Sequence, residues 1–79
     1  MTDTPTITIA TLETRNFEFV ATGRDEDHAL RVLEAAWAQH AKQYGPRGVA
    51  SWDTIRADYG IAIVTLPVGG ATRDGGRII

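Results

Sequence analysis

Apolar and polar residues alternate at the start of the chain in a pattern that indicates a β-strand. Between Thr6 and Thr14, Ile7 and Ile9 alternate with threonines in a β-branched run. The alternation shifts by one position at Ala10 and Leu12, which indicates either a bulge or a strand that is covered on both faces. The pattern predicts the strand and leaves both explanations of the shift open.

A second strand is predicted after a turn at Arg15-Asn16. Its inward face consists of Phe17, Phe19 and Ala21, at every second position. Glu18 and Thr22 lie between them and face water. Because the two strands are close in sequence, we expect them to pair as an antiparallel hairpin.

The longest predicted element is an amphipathic helix from Asp25 to Tyr44. Asp25 is placed to cap its N-terminus, while Gly45 and Pro46 end it. The stripe that faces the sheet consists of Leu30, Leu33, Trp37, Ala41 and Tyr44, with Ala29 and Ala36 beside it. The far side carries His28, Arg31, Gln39 and Lys42.

Two structures are open for the segment that follows the helix. In the first, Ser51 caps a short helical turn in which Trp52, Ile55 and Tyr59 share a face. In the second, residues 49–55 form a strand that returns through residues 57–60. A strand from Ile61 to Leu66 is expected in either case, and we predict that it is central because successive residues on both of its faces are apolar.

Pro67 ends that strand, Gly69-Gly70 makes a turn, and residues 71–79 form either a short edge strand or a mobile tail. These elements predict one α+β domain that spans residues 1–79, with residues 1–5 and 71–79 as candidate mobile ends. The sheet is small and antiparallel, with three to four strands, and the amphipathic helix packs on one face. The expected order is strand, strand, helix, short helical turn, strand and short strand.

Composition restricts the classes of function. The 79 residues are 43% hydrophobic and 23% charged, which suits one small globular core. There is no cysteine, no signal-peptide pattern and no apolar run long enough for a membrane span, so we expect a cytosolic protein that does not enter a membrane. The net charge of −2 disfavours nucleic-acid binding. Residues 44–79 nevertheless hold four arginines against three acids, so any patch for anions belongs there.

Residues that could carry chemistry are few. His28 and His40 are separated by ~18 Å along the predicted helix, so they cannot share a metal ion. Ser51 is expected to be a helix cap, and Asp53 and Asp58 are expected to make salt bridges or turns. The glycine pairs near the C-terminus lack the remaining residues of a nucleotide-binding loop. The sequence predicts no catalytic residue, no metal site and no cofactor.

The candidate residues for partner binding lie in the second half of the chain and are Trp52, Arg56, Tyr59, Arg73, Asp74 and Arg77. Arginines suit an acidic or phosphate-bearing surface, although a charged glycine-rich end is more often a solvated tail. Tryptophan is common at interfaces, but in so small a protein we favour a core position for Trp52.

The segment from Phe17 to Trp37, about a quarter of the chain, has a strand followed by Gly23, Asp25, Ala29 and Leu30 at the start of the helix. This Gly-x-Asp-x-x-x-Ala-Leu pattern resembles the strand–turn–helix unit of HicB-type antitoxins, which are small proteins with part of a ribonuclease-H-like fold. In size, lack of cysteine and acidic balance, the chain is also similar to inhibitors that phages and mobile elements carry against host defences, among them anti-CRISPR proteins.

We therefore expect a non-catalytic protein-binding module, either an inhibitor of the anti-CRISPR type or an antitoxin-like regulator. Its partner would be another protein or protein complex, and a homodimer is compatible with the sequence. The alternative is a nucleic-acid-binding accessory protein that uses the C-terminal arginines.

Overall fold

A computed structural model of the chain describes residues 5–45, 49–74, 76–77 and 79. Five strands and two helices follow one another as β1 (Thr6–Glu13), β2 (Glu18–Gly23), α1 (Glu26–Tyr44), α2 (Trp52–Tyr59), β3 (Ala62–Pro67), β4 (Thr72–Arg73) and β5 (Gly76–Arg77). The predicted α+β class is confirmed, with one short strand more than expected. The molecule is elongated and measures 52 × 23 × 19 Å.

A three-stranded antiparallel sheet in the order β2-β1-β3 forms the centre of the fold. The predicted hairpin of β1 and β2 is confirmed, and the backbone N–H of Thr14 donates to the carbonyl of Phe17 across the turn at Arg15 and Asn16. Pairing runs without interruption from Thr8 to Glu13, so the shift in the hydrophobic pattern is not a bulge. It arises because β1 carries apolar side chains on both faces.

The two faces of the sheet have different surroundings. The first face, against which both helices pack, carries Thr8, Ala10 and Leu12 of β1, Phe19 and Ala21 of β2, and Ile63 and Thr65 of β3. The second face carries Ile7, Ile9 and Thr11 of β1, Val20 and Thr22 of β2, and Ala62, Val64 and Leu66 of β3. The core therefore lies on one side of the sheet. Leu66 is buried on the other side and is not part of the core.

Helix α1 begins and ends close to the predicted bounds. The Oδ1 atom of Asp25 accepts a hydrogen bond from the N–H of His28 at 2.8 Å, which caps the N-terminus. At the other end Gly45 has a positive φ of 81°, a backbone conformation that suits glycine. Pro46, the other predicted stop signal, lies outside the described residues.

The face that α1 buries is rotated from the predicted stripe. Ala29, Leu33 and Trp37 are buried, whereas Leu30 and Ala41 are only half-buried. Tyr44 is 60% exposed and is not buried against the sheet as predicted, although its ring centroid lies 5.7 Å from that of Phe17 at the end of the hairpin. The rotation follows from the close approach of Ala29 to Gly23, where a Cβ atom added to the glycine would lie 2.3 Å from the backbone nitrogen of Ala29.

The two histidines make different local contacts. His28 is half-buried, and its Nδ1 atom accepts a hydrogen bond from the N–H of Arg24 at 3.0 Å, so it closes the turn before α1. The ring of His40 lies within an aromatic cluster, with centroid distances of 4.8 Å to Phe17, 5.2 Å to Phe19, 5.1 Å to Trp37 and 4.7 Å to Tyr44. Packing at the end of the β1–β2 hairpin therefore surrounds its ring.

The segment from 52 to 59 is helical, which confirms the first of the two predicted structures and rules out the strand. The hydroxyl of Ser51 accepts from the N–H of Thr54 at 3.3 Å and caps α2. Ile55 of α2 is buried in the core, and Trp52 packs against the core while half-buried. Trp52 thus borders the core and keeps part of its side chain accessible.

Strand β3 is an edge strand, and the prediction that it is central is wrong. Among the described residues it pairs only with β1, and Ala62 and Ile63 are exposed. The apolar residues on its two faces suggested a strand covered on both sides, but no described helix covers its second face. Pro67 is the last residue of the strand and lies opposite Thr6. Its missing N–H is tolerated because the outer side of this edge strand pairs with no described strand.

The end of the chain forms a hairpin. Strands β4 and β5 pair antiparallel as a separate two-stranded sheet, and Ala71 and Ile79 exchange backbone hydrogen bonds at its base. Asp74 in its turn has a φ of 52°, which asparagine and aspartate tolerate better than most residues. Within the described residues this region is a hairpin of two short strands, where the sequence predicted at most one short edge strand. Of the candidate mobile ends, residues 1–4, Gly75 and Ile78 lie outside the described residues.

Candidate interaction surface

The described residues contain no group of three or more His, Cys, Asp or Glu side chains that could hold a metal ion. Neither described helix has the length and apolar character needed to cross a membrane. The exposed parts of the described chain that could contact a partner are three places that hold the predicted residues and two features of the sheet.

Trp52 and Arg56 lie together, because both face α1 from successive turns of α2. They line an open groove, which we call the α1–α2 groove, whose other residues are Asp25, Asp27, Leu30, Arg31 and Glu34. Carboxylates therefore face the exposed guanidinium of Arg56 from the start of α1. The groove is polar and charged in both signs, so it does not present the uniform positive surface that the arginines suggested.

Tyr59 does not join Trp52 and Arg56. Its side chain is 49% exposed and lies at the opposite end of α2, where it lines clefts with Thr11 and Glu13 of β1 and with Ala50. The predicted face shared by Trp52 and Tyr59 is divided because Ile55, between them, enters the core.

Arg73, Asp74 and Arg77 lie on the β4–β5 pair, which we call the C-terminal hairpin. Arg73 pairs with Gly76, and Arg77 pairs with Thr72. Arg73 and Asp74 are exposed. Among the described elements, the extensive contacts of β4 and β5 are only with each other, so the hairpin forms an arm that does not pack on α2. The six predicted residues thus fall into three places instead of one patch.

The second sheet face is a feature that the sequence prediction missed. It is apolar along much of its length, and Val20, which is 59% exposed, lies on this face between Glu18 and Thr22 of its own strand. Ile7, Ile9 and Val64 are half-buried in the middle and on the β3 side. The shift of the alternation at Ala10 was the signal for this face in the sequence. A strand with apolar residues on both faces either is covered on both or leaves one apolar face exposed.

We call the outer side of β3 the β3 edge. The alternation of hydrogen bonds in an antiparallel sheet determines which main-chain groups point outward there. Val68 donates its N–H to the carbonyl of Pro5, so odd-numbered residues of β1 bond to β3. Their partners on β3 are Ala62, Val64 and Leu66. The N–H and C=O groups of Ile63 and Thr65 therefore point outward, away from every described strand.

No family model, no curated protein and no solved structure matches this chain. The resemblance of residues 17–37 to HicB-type antitoxins stays a prediction. The structure does give a physical reason for the pattern that carries it, since Gly23 leaves room for the backbone of Ala29 at the start of α1.

Proposed function

We propose that this chain is a non-catalytic protein-binding module that acts in the cytoplasm as a small inhibitor or regulator of another protein. A phage or mobile-element protein directed against a host defence, of the anti-CRISPR type, and an antitoxin-like regulator are the two roles of this kind. The observation that carries the proposal is the C-terminal hairpin, an arm outside the packed core, in which the exposed side chain of Arg73 makes no ion pair or hydrogen bond with a described residue.

The position of this arm favours a binding role over a structural one. A two-stranded hairpin on its own is marginally stable in water, and this one adds no residue to the core formed by the sheet and helices. Arg73 does not line the α1–α2 groove, where the acidic residues at the start of α1 lie. A cationic arm on a chain of net charge −2 is suited to contact an acidic surface of a partner protein.

Occlusion of a partner's surface needs no catalytic group and suits a small domain. Arginine is well adapted to such contacts because its planar guanidinium can bond a carboxylate through two N–H groups. We assign Arg73 and Arg77 as the main contacts, with Asp74 in the turn between them. Trp52, Arg56 and Tyr59 are assigned as secondary contacts on α2.

Affinity capture from the native host, read by mass spectrometry, tests this function. We expect the tagged chain to retain one protein in stoichiometric amount, and Arg73→Glu combined with Arg77→Glu to lose it. The matched control is Arg15→Glu combined with Arg24→Glu, which makes the same change of charge at two exposed arginines elsewhere. Retention by the hairpin variant would refute the choice of surface, and failure of the wild-type chain to retain any protein would refute the function.

The two arginines of the C-terminal hairpin make nucleic-acid binding the second candidate. It predicts that the chain binds short DNA or RNA at low salt, and that the affinity for the nucleic acid falls steeply as the salt concentration is raised. If the chain does not bind DNA or RNA at low salt, nucleic-acid binding is excluded.

A further inference from the structure

The β3 edge combines main-chain groups that pair with no described residue with a complete lack of charge. The N–H and C=O groups of Ile63 and Thr65 point outward, and all residues from Ile61 to Val68 are uncharged. Proteins that stay monomeric usually protect a strand of this kind with charged side chains or cover it. The opposite edge of the same sheet has such protection, because β2 begins with Glu18 and packs extensively along α1.

We propose that β3 pairs antiparallel with β3 of a second copy of this chain, about a two-fold axis at Val64, so that one continuous sheet crosses the dimer. In this register Ile63 lies opposite Thr65 of the second copy. Each of these residues has an outward N–H and an outward C=O, so the two exchange reciprocal hydrogen bonds on both sides of the axis. Such strand addition obtains its affinity from main-chain hydrogen bonds.

Two features of the strand favour a second copy as the occupant. A two-fold axis places Val64 opposite Val64 of the second copy and places the same short segment of each copy opposite the other. A charged segment would bring like charges together and oppose the pairing. Each chain carries a net charge of −2, yet β3 contributes none of that charge. The central contact would be between the two Val64 side chains, which are half-buried apolar groups on the second sheet face.

Pro67 limits the pairing to the middle of the strand. It has no N–H to donate outward, and its carbonyl already accepts a hydrogen bond from Gly70 at 2.8 Å. The outward groups of Ile63 and Thr65 lie just before it. Pairing centred on Val64 therefore uses the part of the edge whose donors and acceptors are both free among the described residues.

Sedimentation of the purified chain tests the proposal. We expect a mass of twice the 8.6 kDa of one chain. Val64→Lys places two ammonium groups at the axis and should raise the dimer dissociation constant about 100-fold or more. Mixing Val64→Lys with Val64→Asp should restore a dimer, because opposite charges then meet at the axis. The control Val20→Lys puts the same charge on the second sheet face of the other edge strand and should leave the dimer intact.

A wild-type chain that stays monomeric would overturn the proposal, and so would a Val64→Lys variant that still dimerises. Amide hydrogen exchange gives a readout that needs no variant. In the dimer the N–H groups of Ile63 and Thr65 are protected, and protection is lost on dilution. Fast exchange of both amides in a sample of dimeric mass would show that the copies meet through another surface and refute the pairing.

This inference goes beyond the proposed function and does not depend on it. It concerns the purified chain alone, whereas capture of a partner protein depends on the C-terminal hairpin. Variants at Val64 and variants at Arg73 therefore separate the failure of one from the failure of the other.

Discussion

The indole Nε1 of Trp37 donates a hydrogen bond to the carbonyl oxygen of Ala50 at 3.1 Å. Trp37 lies in the middle of α1 and is 6% exposed, while Ala50 is in the segment just before α2. The bond therefore fixes the start of α2 against α1 from inside the core. It also explains how a tryptophan can be buried here, because its one polar group has a partner.

Replacing Trp37 with Phe should lower the free energy of unfolding by about 1–3 kcal/mol, because the hydrogen bond is lost and the smaller ring leaves a cavity. Urea denaturation measures the change. Trp52→Phe is the matched control: Trp52 is only half-buried and makes no hydrogen bond to a described residue, so its loss should be under about 1 kcal/mol. Equal losses in the two variants would contradict the role assigned to the bond with Ala50.

Gly23→Ala should destabilise the fold severely, by about 3 kcal/mol or more, because strain between two backbones cannot be relieved by a rotamer change. The added Cβ atom would lie 2.3 Å from the nitrogen and 2.8 Å from the Cα atom of Ala29. Thermal unfolding monitored by circular dichroism measures the effect. Gly76→Ala is the control, since its Cβ atom would meet its nearest neighbour, the Arg73 carbonyl, at 3.5 Å. A stable Gly23→Ala variant would show that α1 can shift away from β2.

Asp25→Ala should cost about 1 kcal/mol, because it removes the carboxylate that accepts the N–H of His28 at the start of α1. Asp27→Ala removes an equal charge from the first turn without removing a cap, so it should cost less. Chemical denaturation of both variants at the same salt concentration separates the cap from the charge. If Asp27→Ala proves as costly as Asp25→Ala, general electrostatics and not the cap explains the effect.

Elements defined by local signals could be predicted from the sequence. Asp25 and Gly45 fixed the ends of α1, Ser51 fixed the start of α2, and the turn at Arg15 and Asn16 predicted the β1–β2 hairpin. Each of these depends on backbone preferences of a few adjacent residues. No long-range information is needed for them.

The position of β3 in the sheet could not be obtained from its hydrophobic pattern. Apolar residues on both faces describe a buried central strand and also an edge strand with one uncovered face, and only the strand order distinguishes them. Pro67 was a usable signal, because proline within a sheet favours an edge. Asp74-Gly75 was another, since this dipeptide is typical of tight hairpin turns.

The arrangement of the candidate binding residues could not be predicted from the sequence for a different reason. Trp52, Arg56 and Tyr59 are close together along the chain, but the burial of Ile55 turns them to different sides of α2. Whether Arg73 approaches Arg56 depends on the direction in which the C-terminal hairpin leaves β3. That direction is set by tertiary structure and not by local preference.

Calorimetric titration of the captured partner protein with purified wild-type chain and with the Arg73→Glu, Arg77→Glu variant tests the central claim most directly. Protein binding through the C-terminal hairpin predicts a stoichiometric complex whose dissociation constant rises at least about tenfold in the variant, because two cations facing an acidic surface become anions. The Arg15→Glu, Arg24→Glu control should bind like the wild type. Equal affinity of wild type and hairpin variant would contradict the claim.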